Sequence, residues 1–323
     1  MAKNSVPTLT LKPGIEMPII GYGTSTVEDQ KTLEKCIEAA LEAGYRHFDT
    51  AFTYGNEEQI GNIFAKIFKN GKYKREEIFL TTKLPSFWHS RDDAKLCVEK
   101  QLKALQMEYI DLYLIHSPCP CKKDPEKDAF LKDSNGKVIE EEIDLLETWK
   151  ALEEIEKDGK IKSLGVSNFN EQQLLHLYKN AQIKPVNNQV ECHVLFPQNE
   201  LHEFCKKHGI ILTAYSPIGS PGRPEDTVEH PEINQLEHSD VIEIAKKHAK
   251  TPAQILLRHL VERGISAIPK SVTLSRIQEN IDIFDFSLDS EDIKKLEALG
   301  PHKRIFTHRF NSEHSNYPYN DLK

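Results

Sequence analysis

The chain has 323 residues, a net charge of −8, and 38% hydrophobic and 28% charged residues, which is the profile of an ordinary soluble globular protein. It has no basic surplus to neutralise phosphates and no run of about 18 apolar residues to span a bilayer, so neither nucleic acid nor membrane is an expected partner. The opening "MAKNSVPTLTLKPG" carries no apolar signal core, and six cysteines in so long a chain do not make a disulfide framework, so a cytoplasmic location is expected.

The first segment, "TLTLKPGIEMPII", reads as a hairpin. Apolar runs of strand length then alternate with helical patterns. The run 18–24 precedes a helix over 29–44, 45–51 precedes 56–71, and 78–84 precedes 90–105. The run 109–116 precedes, after a long loop, 141–159; 161–169 precedes 170–181; and 186–193 precedes 198–209. The run 210–218 precedes, after another long loop, one helix over 239–264, and 265–272 precedes 273–284. Leu145, Leu146, Trp149, Leu152 and Ile155 illustrate the helical period, and Gly44, Gly159, Gly209 and Gly264 stand where helices should stop.

Eight strand–helix units with strands apolar on both faces predict an α/β fold, a (β/α)8 TIM barrel. It should form one domain over 1–323, with an N-terminal β-hairpin, long loops at the C-terminal face and a tail over 301–323. An open doubly wound sheet is the competing reading. It would usually show a Gly-rich turn after its first strand, and "GYGTST" lacks the third glycine of that turn.

A barrel of this kind places its chemistry at the C-terminal strand ends. Asp49 ends the second run with Tyr54 just beyond it; Lys83 ends the third and His116 the fourth. Each has a bland reading as a cap, a rim aromatic, a solvated cation or a core histidine. Together they make coherent chemistry. An ammonium eases ionisation of a neighbouring phenol, a carboxylate balances a buried lysine, and a histidine can orient a substrate oxygen. Such a set would protonate an oxygen that becomes negative as a carbonyl is reduced.

Asp49, Tyr54, Lys83 and His116 resemble, in order and context, the catalytic tetrad of the aldo-keto reductases, most closely the aldose/aldehyde reductase branch. The motifs "GYRHFDTAFTYGNE", "LIHSP", "GKIKSLGVSNF", "TAYSPIG" and "IPKSVTLSRIQEN" extend the resemblance over nearly the whole chain. It implies NADPH bound without a Rossmann fold. Ser167, Asn168 and Gln189 would hold the carboxamide, with Thr24 and Asp49 nearby, and Tyr215 would stack on the nicotinamide. Ser216, Ile218 and Ser220 would line the pyrophosphate. Lys270, Ser271, Val272, Thr273, Arg276, Glu279 and Asn280 would take the adenosine end, with Lys270 and Arg276 on the 2′-phosphate. No metal is implied, and most relatives of this branch are monomers.

The chain departs from the family at three places where relatives often carry tryptophan. Here these are Ser25, Pro85 and Ser117. The expectation is a roomier, more polar pocket that admits bulky, even steroid-like, ketones as well as aldehydes. Trp88 and Phe87 would partly refill it, the loops 117–140 and 219–238 would shape it, and Phe310, Tyr317 or Tyr319 from the tail would cover it. Two rivals stay open: a non-catalytic NADPH-binding protein on the same fold, and a barrel hydrolase or lyase without nicotinamide.

Overall fold

A computed structural model describes residues 6–221, 234–300 and 303–319. The chain divides into two compact units: Met1–Asp49 with Gln189–Phe306, and Thr50–Asn188 with Thr307–Lys323. Residues 222–233, 301–302 and 320–323, which include part of one expected specificity loop and both ends of the expected tail, lie outside the described residues.

The first unit opens with the expected hairpin, β1 (Thr8–Lys12) antiparallel to β2 (Ile15–Pro18). Next come β3 (Tyr22–Gly23), α1 (Gln30–Ala43) and β4 (His47–Asp49). The Asp29 side chain accepts the Thr32 N–H at the start of α1, satisfying an otherwise orphaned donor. Gly44 ends the helix at φ 115, a left-handed value that favours glycine.

In the second unit, α2 (Glu57–Lys69), β5 (Phe79–Leu84), α3 (Arg91–Leu105), β6 (Leu112–Ile115), α4 (Leu145–Lys157), β7 (Leu164–Ser167) and α5 (Glu171–Asn180) alternate. β5, β6 and β7 are parallel neighbours. Gly61 lets α2 approach α3 closely: a Cβ there would fall 2.2 Å from the Ala104 carbonyl oxygen. Trp149, Leu152 and Ile155 of α4 are buried, as their spacing predicted.

β8 (Asn187–Glu191) leads back into the first unit, which continues with α6 (Asn199–Lys207), β9 (Ile211–Tyr215), α7 (Ser239–His248), α8 (Pro252–Glu262), β10 (Ser266–Ala267), α9 (Leu274–Ile281) and α10 (Ser290–Glu297). β3 pairs in parallel with β4, Ile20 bridges in parallel to Ala267 of β10, and β10 pairs in parallel with β9. Val194, Val241, Ile244, Ile255, Leu256 and Leu296 are members of a buried cluster in this unit.

The class is the expected one: eight parallel strands alternating with helices, preceded by an antiparallel hairpin. Two details differ. The helix expected over 239–264 is two helices. Ala249 is left-handed at φ 52, and a new start follows in which Thr251 caps Gln254 reciprocally and Pro252 takes the first turn. The strands are also shorter than the apolar runs. β10 stops before Pro269, which has no N–H to donate.

Candidate active site

β5 is buried along its whole length, and Lys83 has no exposed surface. Its ammonium donates to the Thr50 carbonyl at 2.8 Å and to the Tyr54 hydroxyl at 3.3 Å. Tyr54 closes a 3-10 turn, Phe52–Tyr54, which Gly55 ends at φ 67. The Tyr54 ring stands edge-on to His116, 6.0 Å between centroids. His116 follows β6, its N–H bonded to the Leu84 carbonyl. Loss of solvation first, and the Lys83 charge second, hold its pKa well below the ordinary histidine value, so the ring is neutral. Three of the four expected catalytic residues therefore meet in one unit.

Asn168, just past β7, sits at φ 63, in the left-handed region that asparagine tolerates better than most residues. Its amide donates to the His116 carbonyl at 3.0 Å and to the Ser167 hydroxyl at 3.2 Å. Its oxygen accepts from the Tyr319 hydroxyl at 3.0 Å. The described tail is tied down elsewhere too. Asn170 donates to the Pro318 carbonyl, Gln173 to the Asn316 carbonyl, and a His314 ring nitrogen lies 2.7 Å from the Pro120 carbonyl.

In the other unit Asp49 ends β4, buried, its carboxylate accepting from the Gln189 amide at 2.8 Å. The Asp49 carbonyl accepts from both the N–H and the hydroxyl of Thr24. Tyr215 ends β9, its ring 6.1 Å from that of Phe306. Ser216 and Ser220 both have positive φ, 51 and 49, and their hydroxyls lie 3.1 Å apart. Ile218 packs against the apolar cluster. Beside Gly219 lies a side chain the sequence did not single out. Gln235 is 1% exposed, and neither its amide oxygen nor its nitrogen has a partner among the described residues.

Lys270, Val272, Thr273 and Arg276 are exposed around the start of α9, as is Leu274, while Asn280 is buried and Glu279 half-buried. Thr273 caps α9 without a side-chain bond; its N–H goes to the Ser271 hydroxyl at 3.1 Å. Neither Lys270 nor Arg276 makes an ion pair among the described residues, and Val272 and Leu274 are each about half exposed beside them.

Of the expected substrate residues, Ser25 and Ser117 are half-buried and Pro85 buried. Trp88 is buried with Lys123 3.4 Å and Lys100 5.0 Å from its ring centroid. Phe310 is 53% exposed and packs on Phe130, which packs on Phe87, which packs on Phe52. Cys119 and Cys121 are buried and take part in no disulfide among the described residues. The sequence reading also passed over the Glu57 carboxylate, although "YGNE" sets it close behind Tyr54.

The aldo/keto reductase family model matches residues 19–301. Aldo-keto reductase family 1 member C3 of Homo sapiens is 41% identical over 316 residues, covering 96% of this chain and 97% of that protein. Prostaglandin-E(2) 9-reductase of Oryctolagus cuniculus is 41% identical over 318 residues, covering 97% of each. The solved aldose reductase of Schistosoma japonicum is 36% identical with a TM-score of 0.89, covering 99% of this chain and all of that one, which assigns the (β/α)8 fold. The chain therefore belongs to the aldo/keto reductase family, as an oxidoreductase acting on carbonyls with NAD(P)H.

Proposed function

We propose that the protein is a single-domain, NADPH-dependent reductase of aldehydes and ketones in which Tyr54 is the general acid. The observation that carries this reading is the Lys83 ammonium 3.3 Å from the Tyr54 hydroxyl, with a neutral His116 against the same ring. A nicotinamide held there would supply the hydride. Tyr54 gives its proton to the carbonyl oxygen, and the Lys83 charge eases that loss. A neutral imidazole at His116 can donate an N–H to the same oxygen and fix its direction. Asp49 is proposed as the acidic member of the set.

The residues present suit a dinucleotide. Ser167, Asn168 and Gln189 offer amides and a hydroxyl for a carboxamide, and Tyr215 a ring face. The left-handed Ser216 and Ser220, with the Gln235 amide beside Gly219 that has no partner among the described residues, offer donors to a pyrophosphate. Strained backbone of this kind often marks ligand sites. Lys270 and Arg276, both exposed and without ion pairs among the described residues, suit a 2′-phosphate, which favours NADPH over NADH. Exposed Val272 and Leu274 beside them suit an adenine face.

For substrate we propose bulky carbonyls alongside small aldehydes. Ser25, Pro85 and Ser117 stand at positions often tryptophan in relatives, while Phe52, Phe87, Phe130 and Phe310 form a connected aromatic row. We read the protein as a cytoplasmic monomer that does not bind nucleic acid. The test is oxidation of NADPH, and separately NADH, against aldehydes, quinones and steroid ketones. Turnover extending to bulky ketones and faster with NADPH supports the reading; turnover confined to small aldehydes, or faster with NADH, contradicts it.

A further inference from the structure

On the opposite side of β5 from Lys83 lies a buried polar cluster that the reduction chemistry does not use. Side chains alternate along a strand, so Thr82 faces away from the Lys83 side chain. The Glu57 carboxylate, in the first turn of α2, accepts from the Thr82 hydroxyl at 2.5 Å and from the Gln101 amide at 2.8 Å. The same Gln101 nitrogen reaches the Lys83 carbonyl at 3.3 Å. The Tyr113 hydroxyl donates to the Gln101 oxygen at 2.6 Å, and the Cys97 thiol lies 3.6 Å from it. Thr82, Gln101, Cys97 and Tyr113 have no exposed surface and Glu57 has 6%.

A carboxylate is an expensive choice for such a place. Glutamine would accept the same two hydrogen bonds without the charge. Glu57 makes no ion pair among the described residues, so its negative charge is not spent on a local partner. Cys97 from α3 and Tyr113 from β6 face it, and the Lys83 charge acts on it from the other side of β5. Burial pushes Cys97 and Tyr113 far above their ordinary values, so both stay neutral and Lys83 is the charge that Glu57 meets.

We propose that Glu57 is a positioning residue for the reduction: through Thr82 and Gln101 it clamps the β5 backbone at Lys83, and its charge sets the field in which Lys83 acts on Tyr54. This rests on the proposed roles of Lys83 and Tyr54. Burial raises the Glu57 carboxyl to about 7, against the two hydrogen bonds and Lys83, so the charge appears across the neutral range. An anionic Glu57 opposes ionisation of Tyr54 and keeps it in its acid form to higher pH.

The test is the pH dependence of kcat for NADPH-driven carbonyl reduction in the full chain, for wild type, Glu57→Gln and Tyr54→Phe. In Glu57→Gln the alkaline limb should move to lower pH by about one unit, a roughly tenfold loss of rate above it, with KM for NADPH unchanged. Thr82→Val, which withdraws one hydrogen bond from the carboxylate, should move the limb the same way by less and serves if Glu57→Gln does not fold. A merely structural role would lower kcat at every pH without moving the limb. A limb that coincides with wild type in either folded variant, while Tyr54→Phe is inactive, overturns the role of Glu57 alone. Activity retained in Tyr54→Phe overturns both assignments.

Discussion

The Lys83 ammonium sits 3.3 Å from the Tyr54 hydroxyl and 2.8 Å from the Thr50 carbonyl. A strand that would otherwise be all core therefore ends in a fully buried cation aimed at a phenol. Lys83→Met keeps the side-chain bulk and removes the charge. It should lower kcat by roughly 10²–10⁴-fold, the usual worth of assisted proton transfer, and leave NADPH binding intact. Steady-state rates beside cofactor fluorescence titration check both halves. A loss seen in cofactor affinity alone would count against the pairing.

Arg276 is an exposed guanidinium at the start of α9 that makes no ion pair among the described residues, six positions beyond the exposed Lys270. Charge-assisted hydrogen bonds to phosphate are worth about 1.5–3 kcal/mol. Arg276→Ala should therefore weaken NADPH binding by roughly 10–100-fold and change NADH binding little. Equal losses for the two cofactors would place the 2′-phosphate elsewhere.

The Tyr319 hydroxyl reaches the Asn168 side chain, and Asn168 in turn holds the His116 carbonyl. The tail is thereby tied to a residue proposed to bind the carboxamide. Tyr319→Phe removes this hydrogen bond to the Asn168 oxygen and should raise the NADPH Kd by about three- to tenfold. Ending the chain at residue 306 should in addition change the rank order of substrates, because Phe310 and its packing on Phe130 are lost. An unchanged substrate profile would remove the tail from specificity.

Two buried groups bend stability with pH in opposite directions. His89 is fully buried with neither ring nitrogen hydrogen-bonded among the described residues, and burial lowers its pKa to about 3. The unfolded chain takes up that proton first, so stability is lost as pH falls from about 6.5 toward 3, by roughly 3–5 kcal/mol in all. His89→Leu should shift the acid-unfolding midpoint to lower pH and change stability near pH 7 little. Glu57, raised to about 7, is the reverse case: the folded state keeps the proton longer, so stability falls as pH rises from about 4.5 to 7. Glu57→Gln should then gain in Tm over wild type as pH rises through that window. Thermal melts across pH decide both; parallel curves would contradict them.

Much of the architecture was legible because local chemistry and long-range packing agree. Asp29 before α1 and Gly44 after it mark their helix in sequence and in space. The break between α7 and α8 was misread because the apolar period runs through Ala249, while the stop depends on one left-handed residue and a new cap. The catalytic candidates were legible because a barrel confines chemistry to strand ends. Glu57 was not, because periodicity says that residues 57, 82, 101 and 113 are buried but not that they hydrogen-bond one another. Gln235 was not either: a buried amide with no partner among the described residues is a property of its surroundings, with no local signal.

The role of Tyr54 as proton donor is decided by kcat of Tyr54→Phe for NADPH-dependent carbonyl reduction, measured beside NADPH affinity. The substitution removes one oxygen and leaves the ring against His116. Reduction lost by at least about 10²-fold with NADPH affinity retained is the expected result. Reduction at a rate near wild type would mean that the proton comes from another group.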